Sequence, residues 1–255
     1  MRGFFLFVCF HFLINSLFAQ NIQDSLIRKN TVKLDLTNHL LYKNVRLFSF
    51  ERVLNPRQSF VLSAGYIEFP NIVNLGEKII SDKIESKSGY KFGLEYRFYL
   101  RKENKYSAPR GIYIGPYFSS LGFKTDRTIK YQVENGEANS LLLSRTNINN
   151  LGAQLGYQFV FNDRFVIDLV FFGPSFSNYN FKTNLQGDLS FNPNDIQKKA
   201  LEALLEKFPM LDDLLDTKEL NSNGNFDSWA FGFRYQLHVG YRFGKYKSLR
   251  TKKPN

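Results

Sequence analysis

Between residues 90 and 100 the chain alternates strictly in character. Tyr90, Phe92, Leu94, Tyr96, Phe98 and Leu100 share one parity, and Lys91, Gly93, Glu95, Arg97 and Tyr99 share the other. Successive side chains of a β-strand point to opposite faces, so this pattern predicts a strand with one apolar face and one charged or small face. The same period of two governs 229–243. There Trp229, Phe231, Phe233, Tyr235, Leu237, Val239, Tyr241 and Phe243 oppose Ala230, Gly232, Arg234, Gln236, His238, Gly240 and Arg242. It recurs in 151–161 and in 32–40, where Val32, Leu34, Leu36 and Leu40 oppose Lys33, Asp35, Thr37 and His39. Segments 44–54, 59–68, 111–123 and 164–177 alternate less cleanly, and in 44–54 both parities carry apolar residues, leaving its faces open. The pattern predicts an all-β, antiparallel up-and-down barrel of about eight strands that crosses a membrane, an even number as bacterial barrels require.

The connections alternate in length. Residues 55–58, 101–110 and 162–164 are short or moderate turns, whereas on the other side, after a short first connection at 41–43, 70–87, 124–147 and 179–227 are long. Short periplasmic turns opposite long extracellular loops are expected of an outer-membrane barrel. Asn135-Gly136 suggests a hairpin that prolongs two strands beyond the membrane. In the last long connection, Asn192-Pro193-Asn194-Asp195 caps a stripe of Ile196, Ala200, Leu201, Leu204, Leu205 and Phe208, which predicts a short helix over 194–208 on the barrel rim.

The N-terminus changes the cellular picture. Arg2, the apolar run 4–13 and the small residues before Gln20 predict a secretory signal peptide over 1–19, followed by a short segment 20–30, the barrel over 31–243 and a basic periplasmic tail over 244–255. Cys9, the single cysteine, lies inside the signal, so the mature chain has neither a disulfide nor a thiolate site. The full chain carries a net charge of +11, and signal removal takes away Arg2 and no acid, leaving about +10. Export argues against nucleic acid as the target of that charge. Outer-membrane lipids, lipopolysaccharide phosphates and the barrel assembly machinery are the expected partners.

The polar parity holds the candidate chemistry. Asp35, Glu51, Glu95, Arg97, Asp168, Arg234, His238 and Arg242 are expected to face inward as a polar network, together with Lys33, His39, Lys91, Gln154, Gln158 and Gln236. An eight-stranded barrel is just wide enough inside for side chains, so charges of both signs must pair there. That predicts a structural plug; a narrow small-solute channel is the alternative use of the same residues. A lipid-modifying enzyme is a second alternative. Only His39 and His238 remain after the signal, both on the inward parity, and no Gly-x-Ser-x-Gly, His-Glu-x-x-His or phosphate loop is present. No catalytic residue, cofactor or metal is therefore expected. A soluble lipocalin-like barrel would bury its apolar parity instead; the aromatic residues near both ends of 229–243 favour the membrane form.

The segment Leu237-His238-Val239-Gly240-Tyr241-Arg242-Phe243 resembles the terminal-strand assembly signal of outer-membrane proteins, although a basic tail follows Phe243. With Thr31-Val32-Lys33-Leu34-Asp35-Leu36, Phe48-Ser49-Phe50-Glu51-Arg52, Gly93-Leu94-Glu95-Tyr96-Arg97-Phe98-Tyr99 and Gly111-Ile112-Tyr113-Ile114-Gly115-Pro116-Tyr117, the chain resembles a family of small outer-membrane barrels of Gram-negative bacteria. Its architecture is similar to the OmpA-type and OmpX-type barrels. That resemblance implies membrane anchoring, surface interaction or envelope integrity, and offers no catalytic residues to carry over.

Overall fold

A computed structural model of the chain describes residues 28–42, 44–68, 79–133, 136–187 and 225–244. Alternating β-branched and aromatic residues form ten strands: β1 (Asn30–Asp35), β2 (Arg46–Asn55), β3 (Gln58–Tyr66), β4 (Ile79–Tyr99), β5 (Gly111–Val133), β6 (Gly136–Phe161), β7 (Phe165–Phe172), β8 (Pro174–Gly187), β9 (Asn225–Phe233) and β10 (Gln236–Phe243). All pairings are antiparallel. Eight strands close a ring in the order β1-β2-β3-β4-β5-β6-β7-β10, and β1 meets β10 from Asn30↔Phe243 to Asp35↔His238.

The excess over eight strands has a local cause. β7 and β8 both pair with β6 and are interrupted only at Gly173, while β9 and β10 are separated only by Arg234 and Tyr235. The two breaks face each other, and the Arg234 amide donates to the Gly173 carbonyl at 2.9 Å. Above the ring, β4, β5, β6, β8 and β9 continue as a tall sheet. β5 and β6 stay paired out to Val133↔Gly136, so the hairpin around Asn135-Gly136 does prolong two strands. The tall strands run well beyond the segments expected from alternation. The helical segment expected at 194–208, the signal at 1–19 and the tail beyond Gly244 lie outside the described residues. Contacts divide the chain into the unit Lys29–Phe243, which holds the whole sheet, and a second unit of 1–28 with 244–255.

One expected strand is corrected. Alternation extends 32–40 as a strand, but β1 ends at Asp35 and a helix α1 (Leu36–Leu41) follows. Asp35 is its N-cap, accepting from the Asn38 amide at 3.0 Å, as short acidic side chains do at helix starts. Asn38 also interrupts the apolar parity at the position between Leu36 and Leu40. His39 therefore lies on a helix, its Nδ1 2.6 Å from the Asp35 carbonyl oxygen, and not on the inward face of a strand. The undecided faces of β2 are settled as Leu47, Ser49, Glu51 and Val53 inward, with Phe48, Phe50 and Leu54 outward.

The end of the ring with the short turns is shut. Val53, Tyr99, Ala108 and Tyr113 form a buried apolar cluster there. Ala108 comes from the connection between β4 and β5, which folds across this end instead of trailing from it. The Ala108 amide donates to the Pro56 carbonyl at 2.8 Å, and Asn104 binds the Ile112 backbone through both its amide nitrogen and its oxygen.

Close strand approach leaves unequal room at the wall glycines. A Cβ on Gly115 would stand 1.8 Å from the Tyr96 backbone oxygen, whereas one on Gly93 meets nothing nearer than 3.5 Å. Gly115→Ala should therefore cost at least about 3 kcal/mol, because backbone has to move, and Gly93→Ala should stay within about 0.5 kcal/mol of wild type. Urea unfolding of the two variants side by side checks this; equal effects would mean that the wall is looser than its register indicates.

Candidate functional site: the polar interior

Each strand sends its polar parity into the ring. Lys33, Glu51, Arg97 and Asp168 are at most 1% exposed. Burying four unpaired charges would be prohibitive, so their pairing dictates the interior. Asp168 on β7 is the hub. Its Oδ2 accepts from Lys33 Nζ at 2.6 Å and from Arg97 Nη1 at 2.7 Å, and its Oδ1 accepts from the Tyr113 hydroxyl at 2.7 Å.

Glu51 and Glu95 flank the hub. Lys33 Nζ reaches Glu51 Oε2 at 2.9 Å, and Gln158 donates to the same oxygen at 3.0 Å. The other Glu51 oxygen accepts from Ser59 at 2.6 Å and from Tyr99 at 3.0 Å. Arg97 grips Glu95 Oε2 through Nε and Nη2, at 3.0 and 2.6 Å, and Gln154 donates there too at 3.0 Å. Arg234 closes this side, donating to Glu95 Oε1 at 2.6 Å and to the Gln154 side-chain oxygen. The break between β9 and β10 is what holds Arg234 facing β4.

Asp35 forms an upper group. Besides capping α1 it accepts from Asn38 Nδ2 at 2.5 Å and Gln236 at 3.3 Å, with Lys91 Nζ at 3.6 Å. His238 stands between the two groups, Nε2 3.8 Å from Asp35 and Nδ1 3.9 Å from Asp168. Register explains this: His238 lies directly opposite Asp35 on β1 and Asp168 on β7. Arg242 is buried nearer the shut end, opposite Thr31, and its amide donates to the Arg164 carbonyl. Seven of the eight candidate residues thus fall in one connected region, and Arg242 shares a row with Thr31 and Glu51 beside it.

The linked carboxylates Asp35, Glu51, Glu95 and Asp168 are matched by Lys33, Lys91, Arg97 and Arg234. Several donors converge on each acid, the condition under which buried ion pairs hold. Two arginines also lie over aromatic faces: Arg97 is 4.2 Å from the Tyr113 centroid and Arg234 is 3.9 Å from that of Tyr117. Three of the large inner side chains sit opposite glycine. Tyr113 faces Gly156, Tyr117 faces Gly152 and Lys33 faces Gly240. A Cβ on Gly156 would fall 2.4 Å from the Tyr113 ring.

Tyr113, Tyr117 and Ser59 are members that the alternation did not single out. Tyrosine counts as apolar in a parity reading, and only its hydroxyl contacts reveal the inward role. Neither histidine has a serine or threonine hydroxyl among its hydrogen-bond partners within the described residues. No three His, Cys, Asp or Glu side chains converge there as metal ligands would. No family model matches the chain, and no curated protein matches it.

The hub makes a graded prediction. Asp168→Asn leaves Lys33 and Arg97 short of charge in a closed interior and should destabilise by about 3–5 kcal/mol. Tyr113→Phe removes one hydrogen bond to a carboxylate and should cost about 1.5–3 kcal/mol. Urea midpoints of the two variants test the order; a tyrosine effect at least as large as the aspartate effect would unseat Asp168 as the hub.

Proposed function

We propose that this chain is an outer-membrane β-barrel of a Gram-negative bacterium, non-enzymatic, with a plugged interior, serving surface interaction or envelope integrity. One observation carries it: the polarity of the ring is inverted relative to a water-soluble barrel. Charged groups fill the inside, while Phe48, Phe50, Leu151, Phe161, Phe165 and Phe243 are exposed outside among many other large apolar residues. A contiguous apolar surface of that extent is not stable against water, and hydrocarbon is the solvent it suits.

The dimensions fit. The outward residues of β6 from Leu151 to Phe161 cover eleven positions, about 26 Å of height at the usual rise and tilt, close to the apolar band of such barrels. Aromatic residues gather at both margins, with Trp229 and Tyr90 on the tall side and Phe50, Phe165, Tyr241 and Phe243 on the shut side. The shut end, with its short turns, then faces the periplasm and the tall sheet faces outward. A signal over 1–19 would deliver the chain for export, and β10 would present the terminal-strand pattern to the assembly machinery. The linked charges across the lumen favour a plug over a channel.

Folded protein in detergent should migrate differently on gels before and after boiling and should fractionate with outer membranes. Recovery in the soluble periplasmic fraction without detergent would overturn the membrane assignment. Reconstituted wild-type protein should give no steady conductance in planar bilayers; well-resolved open states would replace the plug with a pore.

A further inference from the structure

The outward face of β5, β6 and β8 changes character row by row above the apolar band. Strand register sets Phe118, Leu151, Phe176 and Phe231 side by side as one apolar row. Two pairs further along, the neighbours are Gly122, Asn147, Asn180 and Asp227, and the row between holds Ser120, Asn149, Asn178 and Trp229. The next outward row is Lys124, Arg145 and Lys182, three cations directly opposite one another on adjacent strands, all exposed. Like charges placed directly across a sheet repel, so this row is an arrangement that an anion would relieve.

One carboxylate partly answers it. Asp126 Oδ2 lies 3.0 Å from Lys124 Nζ and accepts from Ser86 at 2.7 Å. Partial burial pushes the Asp126 carboxyl up, and the hydrogen bonds from Ser86 and Lys124, with the Lys124 and Arg145 charges, carry it below its ordinary value. Arg145 and Lys182 make no ion pair or hydrogen bond of their own among the described residues. Asp227, the acid nearest to Lys182 by register, is held by the side chains of Asn178 and Asn180 at 3.0 and 2.9 Å.

Height distinguishes between anionic ligands. Six residues separate Leu151 from Arg145 on β6 and Phe176 from Lys182 on β8, about 16 Å above the apolar row at the usual rise and tilt. The headgroup layer of a phospholipid leaflet is only about 5–8 Å thick. The cations therefore stand where a glycolipid carries its sugars, and the asparagine rows beneath them offer amide donors and acceptors that match hydroxyl groups. On the membrane-barrel reading given above, we propose that this face binds a phosphorylated outer-leaflet glycolipid, with Lys124, Arg145 and Lys182 taking saccharide-borne phosphates and Asn147 and Asn180 the sugar hydroxyls.

The test uses the full chain and its K124Q/R145Q/K182Q variant, each folded into phosphatidylcholine vesicles. Heat-modifiable migration is scored first. A wild-type chain that does not enter the vesicles overturns the barrel reading, whereas entry followed by failure below overturns the glycolipid site alone. Folded protein is then titrated with purified lipopolysaccharide, with the same material stripped of phosphate, and with phosphatidylglycerol. Each cation should contribute about fivefold, so the triple variant should bind lipopolysaccharide about a hundredfold more weakly than wild type. Wild type should bind the dephosphorylated form about as weakly as the variant binds the intact one. Equal binding by wild type and variant overturns the proposal, and so does phosphatidylglycerol binding as tightly as lipopolysaccharide, which would move the contact to phospholipid headgroups. Should the triple variant not fold, K182Q alone gives the same comparison, with about a fivefold loss expected.

Discussion

Everything in the ring depends on the sharing of Asp168 between Lys33 and Arg97. Those contacts, at 2.6 and 2.7 Å, join β7 to β1 and β4 across the lumen instead of along the wall. A wall of backbone hydrogen bonds fixes neighbours but leaves the width of the tube free to breathe. Charges that must meet in the middle remove that freedom, because a separation of even a few ångströms leaves ions buried without partners. Glycine opposite three of the large inner side chains follows from the same demand: Tyr113, Tyr117 and Lys33 reach inward where Gly156, Gly152 and Gly240 stand aside.

The inner and outer faces differ in polarity, and the chain builds both with one period of two. The outside presents large apolar side chains without directional contacts, Phe, Leu and Trp among them. The inside is directional, since each carboxylate oxygen has stated donors. Further along β6 and β8 the outer face turns polar: asparagine first, then a cation. Strands β6 and β8 thus carry three outward environments stacked along their length.

How much of this was legible depended on contrast between parities. In 90–100, 151–161 and 229–243 the contrast is nearly complete, and both faces could be read directly. In β2 it fails because apolar Leu47 and Val53 face inward beside Ser49 and Glu51, where the ends of the lumen are apolar. The upper part of β4, from Ser81 to Gly89, is polar on both parities apart from Ile84, so periodicity could not show that it continues as a strand. Helix α1 was hidden because Leu36 and Leu40 keep the strand rhythm while Asp35 and Asn38 supply a cap that only backbone geometry reveals. Inward charges were readable from parity; their pairings were not, since Lys33 reaches Asp168 across 135 residues of sequence.

Closure between β1 and β10 sets the order of events during synthesis. The first strand of the ring finds its partner only when the last has been made, and six residue pairs, from Asn30↔Phe243 to Asp35↔His238, wait on it. Until then Lys33 and Asp35 carry their charges on an open edge. The ring therefore has no N-terminal portion that can mature by itself, and the large separation between contacting segments makes its assembly slow. Before that the ring is unfinished by construction, and closure is deferred until the far end of the chain arrives.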